Sequence, residues 1–326
     1  MHTQRVEVIR SPPRNRDIIQ HLAGKLYITI LSQSYLHVGS GKELKIDRSK
    51  ISGIVKRMKE DPYYIKSELQ KQFHQLLEFS STGGVLVIPG STVKGNVRSR
   101  LELSFKNTNG KVNSCFMRAS IIRAEPSKGM QGWRHYNIWR ETILENRGPQ
   151  CDYTQSNAVC LICDLFGTNG LKGLVEFSDF VQDRNRSMVE ILDLPYNMRV
   201  EAVTKDSLFK GVVTFFNITP EELGLILLGM GIKERKTGRP VLLGRLKYRR
   251  DLEGKTFGRV VYSVDRIELS RYSKPLFFDQ SIIIEPGSSL SGELLDSVIN
   301  RLTILAMKRY PDLKMIDEVE ALEKLT

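Results

Sequence analysis

The sequence predicts an α+β fold built as a split βαβ of ferredoxin type, and three observations carry that reading. Two β-rich runs, "KLYITILS" and "FKGVVTFFNIT", alternate apolar and polar residues with the period of a half-buried strand. Each half of the chain also holds a helical stretch, "TVKGNVRSRLELSF" and "PEELGLILLGMGIKE". The order strand, helix, strand then occurs twice, which is the split βαβ succession.

Taken in order, residues 1–24 read as a polar arm, and the strand at Leu26 to Leu31 leads into a loop with Gly39 and Gly41. The charged segment 42–82 carries Ile51, Ile54, Val55 and Met58, then Leu69, Phe73 and Leu76, at spacings for two short amphipathic helices divided near Pro62. "GGVLVIPGS" is a strand with its turn, followed by the first core helix. From 106 to 170 the chain turns polar, rich in glycine and marked by cysteines, which reads as an insertion. "GLVEFSDFVQ" restores strand character, and Pro220 with Glu221 and Glu222 opens the second core helix. A glycine- and arginine-rich loop feeds a long strand ending at Leu269, and 270–326 reads as a helical extension around "LLDSVINRLTILAMKRY".

With 326 residues, 40% of them hydrophobic, the chain can bury a sizeable core. No window approaches the roughly 18 uncharged apolar residues of a membrane span, and no apolar run follows the basic residues of "MHTQRVEVIRSPPRNRD", so no membrane partner and a cytoplasmic location are expected. Lys and Arg number 49 against 37 Asp and Glu, a formal charge of +12, which favours polyanionic partners.

Four segments carry chemistry. Cys160 and Cys163 form a C-x-x-C half-site that Cys115 and Cys151 could complete as an all-thiolate structural Zn2+ site, with His135 able to replace one cysteine. Unrelated thiols, or a redox pair at Cys160 and Cys163, are the alternatives. A metal would stabilise an insertion poor in apolar residues, so chelation should loosen 106–170 and spare the core. In "VIPGSTVKGNVRSRLE" a turn runs into a helix bearing Lys94, Arg98 and Arg100, an arrangement suited to phosphate, although solvated basic residues at a helix start give the same pattern. Arg235, Lys236, Arg245 and Lys247 belong to a cationic stretch interleaved with Gly238, Gly244, Gly254 and Gly258, where glycines let backbone approach a ligand and arginines pair with phosphate. "DLPYNMRVEAVTKDSLFKGVV" reads as a hairpin carrying Arg199 and Lys205, in which Tyr196 and Met198 either stack on bases or pack internally.

"LHVGSGK", "VIPGSTVKGNVRSRLE", "CLICDLFGTNGLKGLVEFSDF" and "LLGRLKYRRDLEGKTFGRVV" stand in an order that resembles the RAMP superfamily of CRISPR systems, over about residues 25–269. The likeness is greatest to backbone subunits of type III effector complexes with a zinc-binding insertion. The resemblance implies an RRM-like ferredoxin core with finger and thumb insertions, the thumb at about 183–210. It implies partners in CRISPR RNA, target RNA, other RAMP subunits and the large subunit of the complex. Copies would stack along the guide while the thumb interrupts its pairing with target. Ser91, Lys94 and Arg98 fall where the family places guide-phosphate contacts, Arg199 at the thumb, and Gly244 to Gly258 at the glycine-rich turn.

Catalysis is where the chain departs from that pattern. Subunits of the family that cut target RNA carry an aspartate between the first glycine motif and the "IPGS" strand, an interval expanded here by the charged segment. Counting back from Pro89 reaches His74, and Asp47 and Asp61 are the acids upstream. Asp47, closest to the glycine loop, is the candidate, acting with a divalent metal such as Mg2+. A non-catalytic RNA-binding scaffold is the principal reading. Target-RNA cleavage through Asp47 is the alternative, and precursor processing with His37 or His74 as general base is a third.

Overall fold

A computed structural model describes residues 5–40, 76–117, 125–130, 132–195, 198–279 and 281–325. Asp47, Asp61, His74 and Tyr196 lie outside the described residues, as does the expected helical pair after residue 42.

The principal elements are β1 (Leu22–Ser32), β2 (Val85–Ile88), α1 (Gly90–Ser104), α2 (Leu161–Phe166), β3 (Val175–Phe177), β4 (Phe180–Gln182), β5 (Val189–Leu194), β6 (Met198–Val203), β7 (Leu208–Ile218), α3 (Pro220–Gly229), β8 (Val241–Leu242), β9 (Arg259–Leu269), α4 (Leu294–Arg309) and α5 (Glu318–Lys324). The fold is mixed α+β. Its main sheet runs β8, β9, β1, β7, β4, β2, with β3 also on β7, and every one of these neighbours is antiparallel. Tyr27 pairs with Val212 on one side of β1, and Leu26 with Ile267 on the other. Alternate residues Leu26, Ile28 and Ile30 are fully buried, which is why a period-two pattern marks this strand in sequence.

α1 starts at Gly90 for a steric reason. A Cβ there would lie 2.1 Å from the Phe177 carbonyl oxygen, so only glycine fits against the end of β3. The Gly90 N–H donates to Asp179 Oδ1 at 2.9 Å, so the break between β3 and β4 supplies the carboxylate that closes this helix start. α3 carries a capping box: Thr219 Oγ1 accepts from the Glu222 N–H, and the Glu222 carboxylate accepts from the Thr219 N–H at 2.8 Å. Its apolar residues are buried all round, because α4 covers the face turned away from the sheet. Gly224 permits that approach, since a Cβ would meet the Leu302 carbonyl oxygen at 2.0 Å.

Two segments are better integrated than their polarity suggests. The arm is docked: Asn217, at a bulge of β7, accepts from the Gln20 and His21 N–H groups, and Arg14 pairs with Asp164 and Glu222. The 106–170 stretch places Cys115, Val159, Ile162, Leu165 and Phe166 in the same apolar core as β1 and α3. β5 and β6 form a separate hairpin, and Leu192, Leu194 and Val200 pack on Leu252 and Phe257 of the glycine loop.

Candidate nucleic-acid interface and metal centre

The four cysteines converge from three places: the chain after Val112, the loop before α2, and α2 itself. All four are buried, and their sulfur atoms lie within 4.8 Å of one another. Cys115 Sγ is 3.4 Å from Cys163 Sγ and 3.8 Å from Cys160 Sγ. A tetrahedral zinc–thiolate site requires sulfurs about 3.8 Å apart, so the set could hold a metal such as zinc. Donors surround the sulfurs as well. Arg98 Nη2 donates to Cys163 at 3.1 Å, Arg10 Nε to Cys151 at 3.3 Å, and the Cys160 N–H to Cys151 at 3.3 Å. Four thiolates around a divalent cation would carry a net charge of −2, and the two guanidinium groups would offset part of it, Arg98 being shared with Glu102. His135 is not part of this set; its ring stands against Tyr248 with centroids 5.1 Å apart. Among the described residues, no second group of His, Cys, Asp and Glu side chains is placed to hold a metal such as Mg2+.

A groove runs along the other side of α1. Thr92, Gly95, Asn96 and Ser99 form one wall, and Gly244, Arg245, Lys247 and Tyr248 form the facing one, around a cavity of about 420 Å³. A second cavity of about 590 Å³ continues past Arg245 and Tyr248 toward Met198 at the turn end of the hairpin. Gly244 has a φ of 82°, and a Cβ on it would lie 2.5 Å from the His37 carbonyl oxygen. That same oxygen accepts from the Arg245 N–H at 2.9 Å, which fixes the turn with the exposed Arg245 side chain at the groove mouth. Lys247 is half-buried, its ammonium donates to the Leu242 carbonyl at 3.2 Å, and burial lowers its pKa. His135 is pushed down to about 4, by burial first and by the Lys247 cation second, so its ring is neutral at physiological pH.

The anticipated RNA-contact residues occupy different situations. Ser91 is exposed at the start of α1, one residue before the groove wall. Lys94 is half-buried, its pKa lowered by burial, with Glu176 opposing the effect and Arg98 and Lys172 adding to it. Arg98 is buried and donates to Glu102 at 2.7 Å, to the Gly167 carbonyl at 2.7 Å and to Cys163. Arg199 pairs with Asp193 across the hairpin at 2.8 Å. The basic stretch is divided by β8: Arg245 and Lys247 face the groove, whereas the loop bearing Arg235 and Lys236 runs beside β9 and α4, and the Lys236 N–H donates to Asp296. His37 is fully buried, with Nδ1 on the Glu201 carbonyl at 2.7 Å, so it lies beneath the groove rather than in it.

Sequence reasoning passed over Gly95, Asn96, Ser99, Trp139 and Tyr248. The one local signal was a glycine in the middle of a helix; Trp139 and Tyr248 reach the groove through contacts distant in sequence. A sequence model of the RAMP superfamily matches residues 29–300. The chain belongs to the RAMP superfamily. No curated protein matches it. Membership in the RAMP superfamily associates the chain with CRISPR systems and RNA binding. Among the described residues of this RAMP protein, no helix is long and apolar enough to cross a membrane.

Proposed function

We propose that this RAMP protein is an RNA-binding backbone subunit of a type III CRISPR effector complex, holding the CRISPR RNA backbone in the groove between α1 and Gly244 to Tyr248. The observation that carries the reading is the groove itself, with Arg245 and Lys247 on one wall and small residues of α1 on the other. A guide supplies sequence through base pairing, so its carrier needs cations and close backbone approach rather than base-specific contacts. The antiparallel order β9, β1, β7, then β3 and β4, with α1 and α3 after β1 and β7, supports an RRM-like split βαβ core. The β5–β6 hairpin supports a thumb role, since Met188, Val189 and Ile191 expose apolar surface that could interrupt guide–target stacking. A structural zinc on Cys115, Cys151, Cys160 and Cys163 would set α2 and, through Arg98, the back of α1. Target RNA, neighbouring RAMP subunits and the large subunit are the partners this reading assigns.

The test is single-stranded RNA binding measured by fluorescence anisotropy across a salt series. Affinity should fall linearly on a log–log plot, and Arg245→Ala and Lys247→Ala should each flatten the slope by about 0.7. Salt-independent binding, or none, overturns the proposal.

A further inference from the structure

Gly95 sits mid-way along α1, exposed, where glycine weakens a helix relative to alanine. The other three glycines of α1 and α3 are explained by packing: a Cβ on Gly90 would strike the Phe177 carbonyl, one on Gly224 the Leu302 carbonyl, and one on Gly229 would lie 2.7 Å from Val97 Cγ1. Among the described residues, a Cβ at Gly95 would meet nothing within 4 Å. None of those described neighbours requires a glycine there. What Gly95 does border is the cavity of about 420 Å³, a size within the range of small-ligand pockets. Gly39 stands on the same rim, exposed, with only His37 Nε2 at 3.5 Å from its absent Cβ. Inside, the cavity is lined by the His135, Trp139 and Tyr248 rings and by the polar side chains of Asn96, Ser99, Arg100, Arg245, Lys247 and Glu318, of which Arg100 and Glu318 pair with each other. Aromatic walls behind a glycine rim suit a flat apolar face, and a bare phosphate would gain nothing from them.

We infer that this cavity is a pocket for one unstacked nucleotide of single-stranded RNA, its base passing over Gly95 to lie against the His135 and Tyr248 rings and its phosphate held by Arg245 at the mouth. The inference rests on the RNA-binding reading above and adds to it a base-sized pocket walled partly by the cysteine-bearing insertion.

The experiment uses the full chain with a uridine 12-mer and an abasic 12-mer of the same backbone. Gly95→Ala and Gly95→Leu put a side chain into the pocket while improving helix propensity, so their melting temperatures should equal or exceed that of the wild type. Wild type should bind the uridine oligomer about tenfold more tightly than the abasic one, and Gly95→Leu should abolish that difference. Equal wild-type affinity for both oligomers overturns the pocket, as does wild-type binding by Gly95→Leu. A lowered melting temperature in Gly95→Ala also overturns it, because the fold itself would then need the glycine. In any of these cases a salt slope reduced by Arg245→Ala keeps the RNA-binding reading intact, whereas failure to bind either oligomer removes both.

Discussion

Arg98 shows how one side chain changes meaning between sequence and structure. Its ion pair with Glu102 is an i,i+4 contact that can be read directly from "RSRLE". Its bond to Cys163 joins positions 65 residues apart, which no local pattern reveals. Burial raises the Glu102 pKa, and Arg98 opposes that shift, so Arg98→Ala would leave a buried acid without its cation. The substitution should cost about 3–5 kcal/mol in urea unfolding and leave the RNA salt slope of the folded fraction unchanged. His135 gives a pH signature. Its pKa in the fold, about 4, lies below the ordinary value of 6.5, so the unfolded chain binds more protons between those values. Its contribution to stability is therefore full above about pH 6.5 and is lost as pH falls toward 4. Thermal melts of His135→Gln should show a flatter decline over that window than the wild type.

Among elements, α3 was the most legible, because its start signals are local: Pro220, Glu221 and the Thr219–Glu222 box occupy consecutive positions. Thr219→Ala should cost about 1 kcal/mol in chemical denaturation. The start of α1 was legible as a helix start but not as a closed one, since Asp179 arrives from far along the chain to take the Gly90 N–H. The cysteine-bearing stretch was read correctly in composition and less well in placement. Polarity suggested a segment that could loosen by itself, yet the cysteines share the core with β1 and α3. Elemental analysis should give one zinc per chain, and chelation should then lower the melting temperature of the whole cooperative transition rather than melt a local segment.

For the whole molecule, the mixed α+β character was readable because strand and helix periods alternate along the chain. The groove was not, because it is assembled from α1, the helix Trp133–Ile138 and the turn at Gly244, which meet only after folding. The formal charge of +12 is untouched by internal ion pairs, but fewer cations than the composition suggests are open to RNA. Arg14, Arg16, Arg98, Arg100 and Arg147 are paired with Asp164, Glu222, Glu102, Glu318 and Glu145 and are largely shielded from solvent. The sheet order has a further consequence, one of time rather than of charge or shape. β1 leaves the ribosome well before both of its neighbours, β7 and β9, which are encoded far downstream of it. Until Leu269 has emerged, β1 has no complete pair of edges to hydrogen-bond, so the centre of the main sheet cannot close before β9 is made. Such long-range pairing makes folding slow and leaves nascent chains that stop short of β9 dependent on protection from aggregation.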